Sequence, residues 1–187
     1  MKTAEVTTKS KWVIDPSHSE ISFKVKHLMI TNVKGVFREF NANIYTLGDS
    51  STLTDIEFQM NPASVDTGDE KRDAHLRSAD FFNVETHKQI IFKAAICVNL
   101  DKDAVFEVPG ELTMNGITRK IILDVEFGGM MKDPWGNLKA GFAITGKINR
   151  KEWGLNWNAA LEAGGMLVSD EVRISCDVQL LKQAFQS

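Results

Sequence analysis

The sequence predicts an all-β domain built on one antiparallel sheet. Three observations carry this. Eight segments alternate apolar and polar residues with a period of two. Each has a single apolar face, whereas parallel strands covered on both sides read as continuous apolar runs. Short turn signals separate the segments, the strongest being Asn115-Gly116. Periodicity alone is compatible with a sandwich or a closed barrel.

In the first strand Ile21, Phe23, Val25 and His27 alternate with Ser22, Lys24 and Lys26. In the second, over 36–47, Phe37 and Phe40 are out of phase before Ala42 and Ile44; one extra residue near Arg38-Glu39 restores the phase and predicts a β-bulge. Ile56, Phe58 and Met60 mark the third strand, and Ile90, Phe92, Ala94, Ile96, Val98 and Leu100 share one face of the fourth. Phe106, Val108, Gly110, Leu112 and Met114 lead into Asn115-Gly116, after which Ile117, Ile121, Leu123, Val125 and Phe127 follow on one face. Leu138, Ala140, Phe142, Ile144, Gly146 and Ile148 make the seventh strand, and Val172, Ile174, Cys176, Val178 and Leu180 the eighth. Gly128-Gly129, residues 133–137 and Ala163-Gly164-Gly165 read as turns. Two places break the alternation. Residues 72–82 are charged and helix-compatible, with Thr67 or Asp69 as N-cap, and end in Phe81-Phe82; a short helical turn is expected near 149–153.

A chain of 187 residues suits one domain with a sizeable core. The net charge of −3 and the absence of any like-charge block argue against a nucleic-acid partner. No apolar run reaches the length of a transmembrane helix. The first ten residues lack the apolar core and cleavage site of a secretory signal, so the chain as written reads as cytoplasmic; a periplasmic chain whose signal had been removed would look the same. Cys97 and Cys176 fall on opposite strand faces and read as two free thiols.

The inward faces mix large residues with small ones such as Ala42, Ala94, Gly110, Ala140 and Gly146. Eight strands enclose either packed side chains or one small ligand. His27 is the one histidine on an inward parity, so a ligand held inside would be apolar and bound mainly by area. No histidine has a metal-binding spacing. His18 reads as a loop residue satisfying local groups with Ser19. His75, Asp73 and Ser78 are too close on one helical turn to form a catalytic relay, and no nucleophile elbow precedes them.

Several stretches resemble the YceI-like polyisoprenoid-binding family: Trp12-Val13-Ile14-Asp15-Pro16-Ser17-His18-Ser19 leading into Ile21–Val25, Gly35-Val36-Phe37-Arg38-Glu39-Phe40, and Ser64-Val65-Asp66-Thr67-Gly68 followed by residues 72–82. Residues 110–118 and 149–155 extend the likeness, which runs from Trp12 to Leu181. One departure is Lys88, which stands where the family carries a proline before the Ile90 strand; it concerns the local turn rather than the fold. The resemblance implies an eight-stranded, lipocalin-like antiparallel β-barrel over 12–182, with a poorly ordered extension over 1–11 and a tail over 183–187. It also implies an elongated apolar cavity for an isoprenoid chain such as a polyprenyl quinone, held without catalysis, and many family members are periplasmic. No cofactor or metal is expected beyond such a bound lipid, and a homodimer is compatible with the sequence without being demanded by it.

The cavity lining expected on this basis is Phe23, Val25, His27, Phe37, Phe40, Phe58, Leu76, Phe81, Phe82, Phe92, Ala94, Phe106, Leu112, Phe127, Ala140, Phe142 and Trp153. The helix with Phe81-Phe82 would wall one end, with Leu76 as its inward anchor. At about 0.8 kcal/mol per buried CH₂, a tail of a few isoprene units is worth more than about 10 kcal/mol gross, much of it offset by ordering and association. Ala94→Phe or Ala140→Phe would block such a cavity. Two other readings stay open: an enzyme acting on a bound amphiphile or through a metal, and a ligand-free stress or interaction module whose barrel is filled by Phe23, Phe92, Phe106 and Phe142.

Overall fold

The computed structural model describes residues 8–184. Among these described residues eleven strands form one antiparallel sheet. They are β1 (Lys9–Ile14), β2 (Glu20–His27), β3 (Thr31–Phe37), β4 (Phe40–Leu47), β5 (Thr52–Met60), β6 (Val65–Asp66), β7 (Ile90–Asn99), β8 (Val105–Met114), β9 (Ile117–Lys132), β10 (Leu138–Asn149) and β11 (Val168–Lys182). The ring β1-β4-β5-β7-β8-β9-β10-β11 closes because β11 pairs back onto β1 through Leu180↔Ile14 and its neighbours. The result is a closed eight-stranded barrel. β2, β3 and β6 extend β1, β4 and β5 past kinks, so three of the eight staves are bent in two. The pairing of β2 with β11, β3 with β2 and β6 with β3 continues the same sheet upward.

Each kink has a local cause. Pro16–His18 and Pro62–Ser64 form 3₁₀ turns capped by Asp15 and Asn61, whose side chains accept from the N–H two residues on. The phase break at Arg38-Glu39 separates β3 from β4, with Arg38 N–H bonded to Ser64 C=O. The expected extension over 1–11 is corrected at its inner end: Lys9, Ser10 and Lys11 are paired with β4, and Ser10 is buried. Its first seven residues, and the last three of the expected tail, lie outside the described residues; Gln183 N–H bonds to Lys11 C=O. Gly128-Gly129 is not a turn. β9 runs through it as a bulge, where the β10 register shifts between Gly141 and Phe142 and Gly129 takes a φ of 120°. The β7–β8 ladder covers only Ile91–Lys93 and ends at Lys93↔Glu111, two residues short of Pro109, which has no N–H to give.

The Asp15 carboxylate fixes the β1–β2 kink. It accepts from Ser17 N–H (3.1 Å) and Ser17 Oγ (2.7 Å), and meets His18 Nδ1 (2.9 Å), Gln179 Nε2 (3.3 Å) and Lys139 Nζ (3.5 Å). The Ser17 hydroxyl bond, with His18 adding to it against partial burial, holds the carboxyl well below the usual range. A depressed folded pKa stabilises above the unfolded value of about 3.9 and loses that contribution as pH falls through the folded value. Asp15→Asn is therefore expected to cost of order 1 kcal/mol at pH 7. In urea unfolding followed against pH, the gap from wild type should narrow once pH drops below about 4; a gap unchanged in acid would show that the charge is not what stabilises the kink.

An apolar cavity with one charged mouth

The turns at 48–51, 100–104 and 133–137 close one end of the barrel. There Trp12, Leu100 and Ala140 are buried and pack the base, and Trp12 Nε1 donates to Thr46 Oγ1 (3.1 Å). The other end carries the β2–β3 turn, the Asn115-Gly116 hairpin, the helix and the segment between β10 and β11. The single α-helix among the described residues, α1 (Glu70–Arg77), is capped by Asp69, whose side chain accepts from Arg72 N–H; that bond holds the Asp69 carboxyl below its usual range.

Charged residues of α1 fasten it to the chain just before it. Asp73 Oδ1 accepts from Thr67 N–H (2.9 Å) and Thr67 Oγ1 (2.6 Å), and Arg72 donates to Thr67 Oγ1 and C=O. Arg77 reaches the Ala63 and Val65 carbonyls. Asp73 faces Thr67, His75 Nε2 faces Asp80 Oδ2 (2.9 Å) and Ser78 Oγ bonds His75 C=O, so these three side chains assemble no catalytic relay. His18 bonds the side chains of Asp15 and Ser17, while Ser19 Oγ accepts from Gln179 N–H.

Two side chains that the alternation could not assign hold the helical end together. Asn115, with φ 51° in its hairpin turn, donates from Nδ2 to Phe81 C=O (2.9 Å) and Trp153 C=O (3.3 Å). Arg150, 2% exposed, donates to the carbonyls of Leu155 (2.6 Å), Trp157 (2.8 Å) and Ser169 (3.0 Å), shaping the segment before β11. Burial pulls the Arg150 guanidinium below its ordinary pKa, opposed by Asp170.

Inside the barrel lies a cavity of about 590 Å³. Of the expected lining, Phe23, Val25, His27, Phe37, Phe58, Leu76, Phe81, Phe82, Phe92, Phe106, Leu112 and Phe142 are on its wall. Phe40, Ala94, Phe127, Ala140 and Trp153 are not, and each miss has a reason. Phe40 follows the kink and stacks on Phe58, ring centroids 6.4 Å apart. Ala94 pairs with Ile56, whose longer side chain forms the wall there. Phe127 packs on Phe142 at 5.2 Å, and Ala140 is 3% exposed in the packed base. Trp153 is fully buried, its Nε1 donating to Leu112 C=O (3.0 Å). Parity tells which way a side chain points, not its height along the barrel axis. Substituting Ala140 would therefore overpack a core, not block a cavity.

Inward residues outside that set complete the wall, among them Ile44, Ile56, Val125, Ile144, Ile174 and Cys176. All share the parity of their strands, so the signal was present. Trp157 and Leu167, from the irregular segment before β11, carried none. Burial pushes the Cys176 thiol up to about 11, leaving it protonated and inert, and Cys97 is free and exposed. Small and large inward residues do interlock: a Cβ on Gly110 would lie 2.4 Å from Phe92 Cζ, and one on Gly146 2.7 Å from a Leu123 methyl. Even so, Phe23, Phe92, Phe106 and Phe142 border the space rather than fill it.

The wall is mainly apolar, Ser22 apart, and its charged and further polar groups gather at the helical end, where Lys26, His27, Thr67, Asp69, Lys71, Arg72, His75 and Arg150 reach it. His75 is sandwiched edge-on between Trp157 (4.6 Å) and Phe81 (5.1 Å), which couples α1 to the segment before β11. Among the described residues, no group of three or more His, Cys, Asp or Glu side chains could hold a metal ion, and no helix is long and apolar enough to cross a membrane.

Comparison with known proteins places this geometry. A UPF0312 protein of Staphylococcus epidermidis is 38% identical over 173 residues, spanning 91% of this chain and 96% of the relative. The crystal structure of a Campylobacter jejuni YceI protein superposes with a TM-score of 0.72 at 29% identity, covering 98% of this chain and all of that one. A polyisoprenoid-binding domain from Saccharophagus degradans, implicated in plant cell wall breakdown, shares the fold at 14% identity, with a TM-score of 0.65 over 92% of this chain and 98% of the domain. The YceI-like domain profile matches residues 12–180, nearly the whole barrel, and the chain therefore belongs to the YceI-like family.

Proposed function

We propose that the protein binds an isoprenoid or similar amphiphilic lipid, such as a polyprenyl quinone, and stores or carries it without catalysis. The observation that carries this reading is the cavity: about 590 Å³, apolar along its length, with its charged groups gathered at one end. That volume lies within the roughly 300–1,000 Å³ of small-molecule sites. Such a container suits a molecule with a long apolar tail and one polar end. Tail burial supplies the driving force, and the charged mouth leaves the headgroup in contact with water. The name of the Saccharophagus domain supports the same ligand class.

The purified protein, extracted with organic solvent and analysed by mass spectrometry, is expected to release a prenyl lipid. Titration with a prenyl quinone is expected to quench tryptophan fluorescence, since Trp157 lines the cavity. Repeated extraction without lipid, together with no quinone uptake, would overturn the reading.

A further inference from the structure

The β2–β3 turn is built against the usual turn chemistry. His27 C=O accepts from Ile30 N–H (3.2 Å), and the two central residues, Leu28 and Met29, have φ of 53° and 59°. Two successive positive φ values, in a three-residue loop between the paired His27 and Thr31, are left-handed backbone of the kind that favours Asn and Gly; Asn115-Gly116 supplies that pair at another hairpin of the same molecule. Leu and Met are strained in this region. Nor do they gain burial: Met29 is 54% and Ile30 79% exposed, with Leu28 and, across the gap, Met166 exposed beside them. Folding does not account for four exposed apolar side chains on a strained tip.

Their position does. His27 at the base of the turn lines the cavity, and so does Leu167, whose carbonyl accepts from Leu28 N–H (2.9 Å). The apolar tip therefore stands on the rim of the mouth. Lys26, Lys71 and Arg72 reach the same mouth against one carboxylate, Asp69, a local cationic excess in a chain of net charge −3. A four-residue tip falls well short of the roughly 800 Å² per partner of a stable protein interface. It does match the combination that holds a protein on an anionic bilayer: a few apolar side chains below the headgroups and basic residues among them.

We propose that the Leu28-Met29-Ile30 tip, with Met166, docks the mouth of the barrel on an anionic lipid bilayer, so that the ligand passes between membrane and cavity without crossing water. This rests on the lipid-binding reading above, and the experiment separates the two. The double substitution Leu28→Asn/Met29→Gly installs the residues the turn prefers and removes two of the apolar contacts, without touching the cavity wall.

In flotation with vesicles of phosphatidylethanolamine and phosphatidylglycerol, the wild-type protein is expected to float with the vesicles, and the double variant to partition at least about tenfold less while melting no lower. Uptake of farnesol in vesicle-free solution should be equal for both proteins, and transfer of a prenyl quinone out of vesicles slower for the variant. Equal flotation of the two proteins, or no flotation of the wild type, overturns the docking proposal. Absence of farnesol uptake by both overturns the lipid-binding reading, while flotation still decides the docking.

Discussion

Replacing Trp153 by alanine is expected to remove about 3–5 kcal/mol of folding stability, the usual cost of deleting a fully buried large aromatic side chain. Trp153 has no solvent exposure, and its indole N–H is bonded to the buried Leu112 carbonyl of β8. Truncation leaves a void beneath the Asn115 hairpin and an acceptor without its donor, and both effects act in the same direction. In a domain of this size the loss corresponds to a fall in melting temperature of about 6–20 °C. The measurement is urea unfolding alongside a thermal melt, with Trp153→Phe as companion: it keeps most of the ring, loses the hydrogen bond and should fall between wild type and alanine. A cost below about 1 kcal/mol for the alanine variant would show that the helical end closes without this residue.

The second large effect is on ligand uptake. Ile174 faces inward on β11, between Phe23 of β2 and Gly146 of β10, yet it is only half-buried because its remaining surface is cavity wall. Ile174→Trp projects an indole across the space an isoprenoid tail would occupy. Prenyl-quinone uptake is expected to weaken at least about tenfold, equivalent to about 1.4 kcal/mol, with the melting temperature close to wild type because the ring enters existing space. Ala140→Phe is the contrasting variant: in the packed base it should cost roughly 1–3 kcal/mol through overpacking and leave uptake unchanged. Unaltered uptake by Ile174→Trp would place the ligand elsewhere than in the barrel.

Much of the scaffold was legible because strand alternation is a local property. The inward faces of β7 to β11, the Asn115-Gly116 hairpin, the Asp69 cap and the phase break at Arg38-Glu39 follow from neighbouring residues. The bent staves were not legible as such. The alternation shows a first strand only from Ile21, and only pairing with opposite ends of β11 shows β1 and β2 as two arms of a kink held by Asp15. Gly128-Gly129 shows the same limit: the dipeptide suits a turn or a bulge equally, and the partner strand β10 decides.

By itself the sequence determined an antiparallel all-β chain, the side of each strand that faces inward, and a charged helical segment with a ligand-free look of chemistry that its spacing could not support. The tertiary structure alone decided how high along the barrel each inward residue sits, and hence that Phe142 borders the cavity while Phe127 and Ala140 pack beside and below it. It also decided that Arg150 and Asn115 bind distant carbonyls at the helical end, and that Leu28 and Met29 stand at the mouth. The physical reason is that alternation sets a side chain's direction from its own backbone. Cavity, mouth and rim instead arise from register and closure between strands far apart in the chain, which no local pattern encodes.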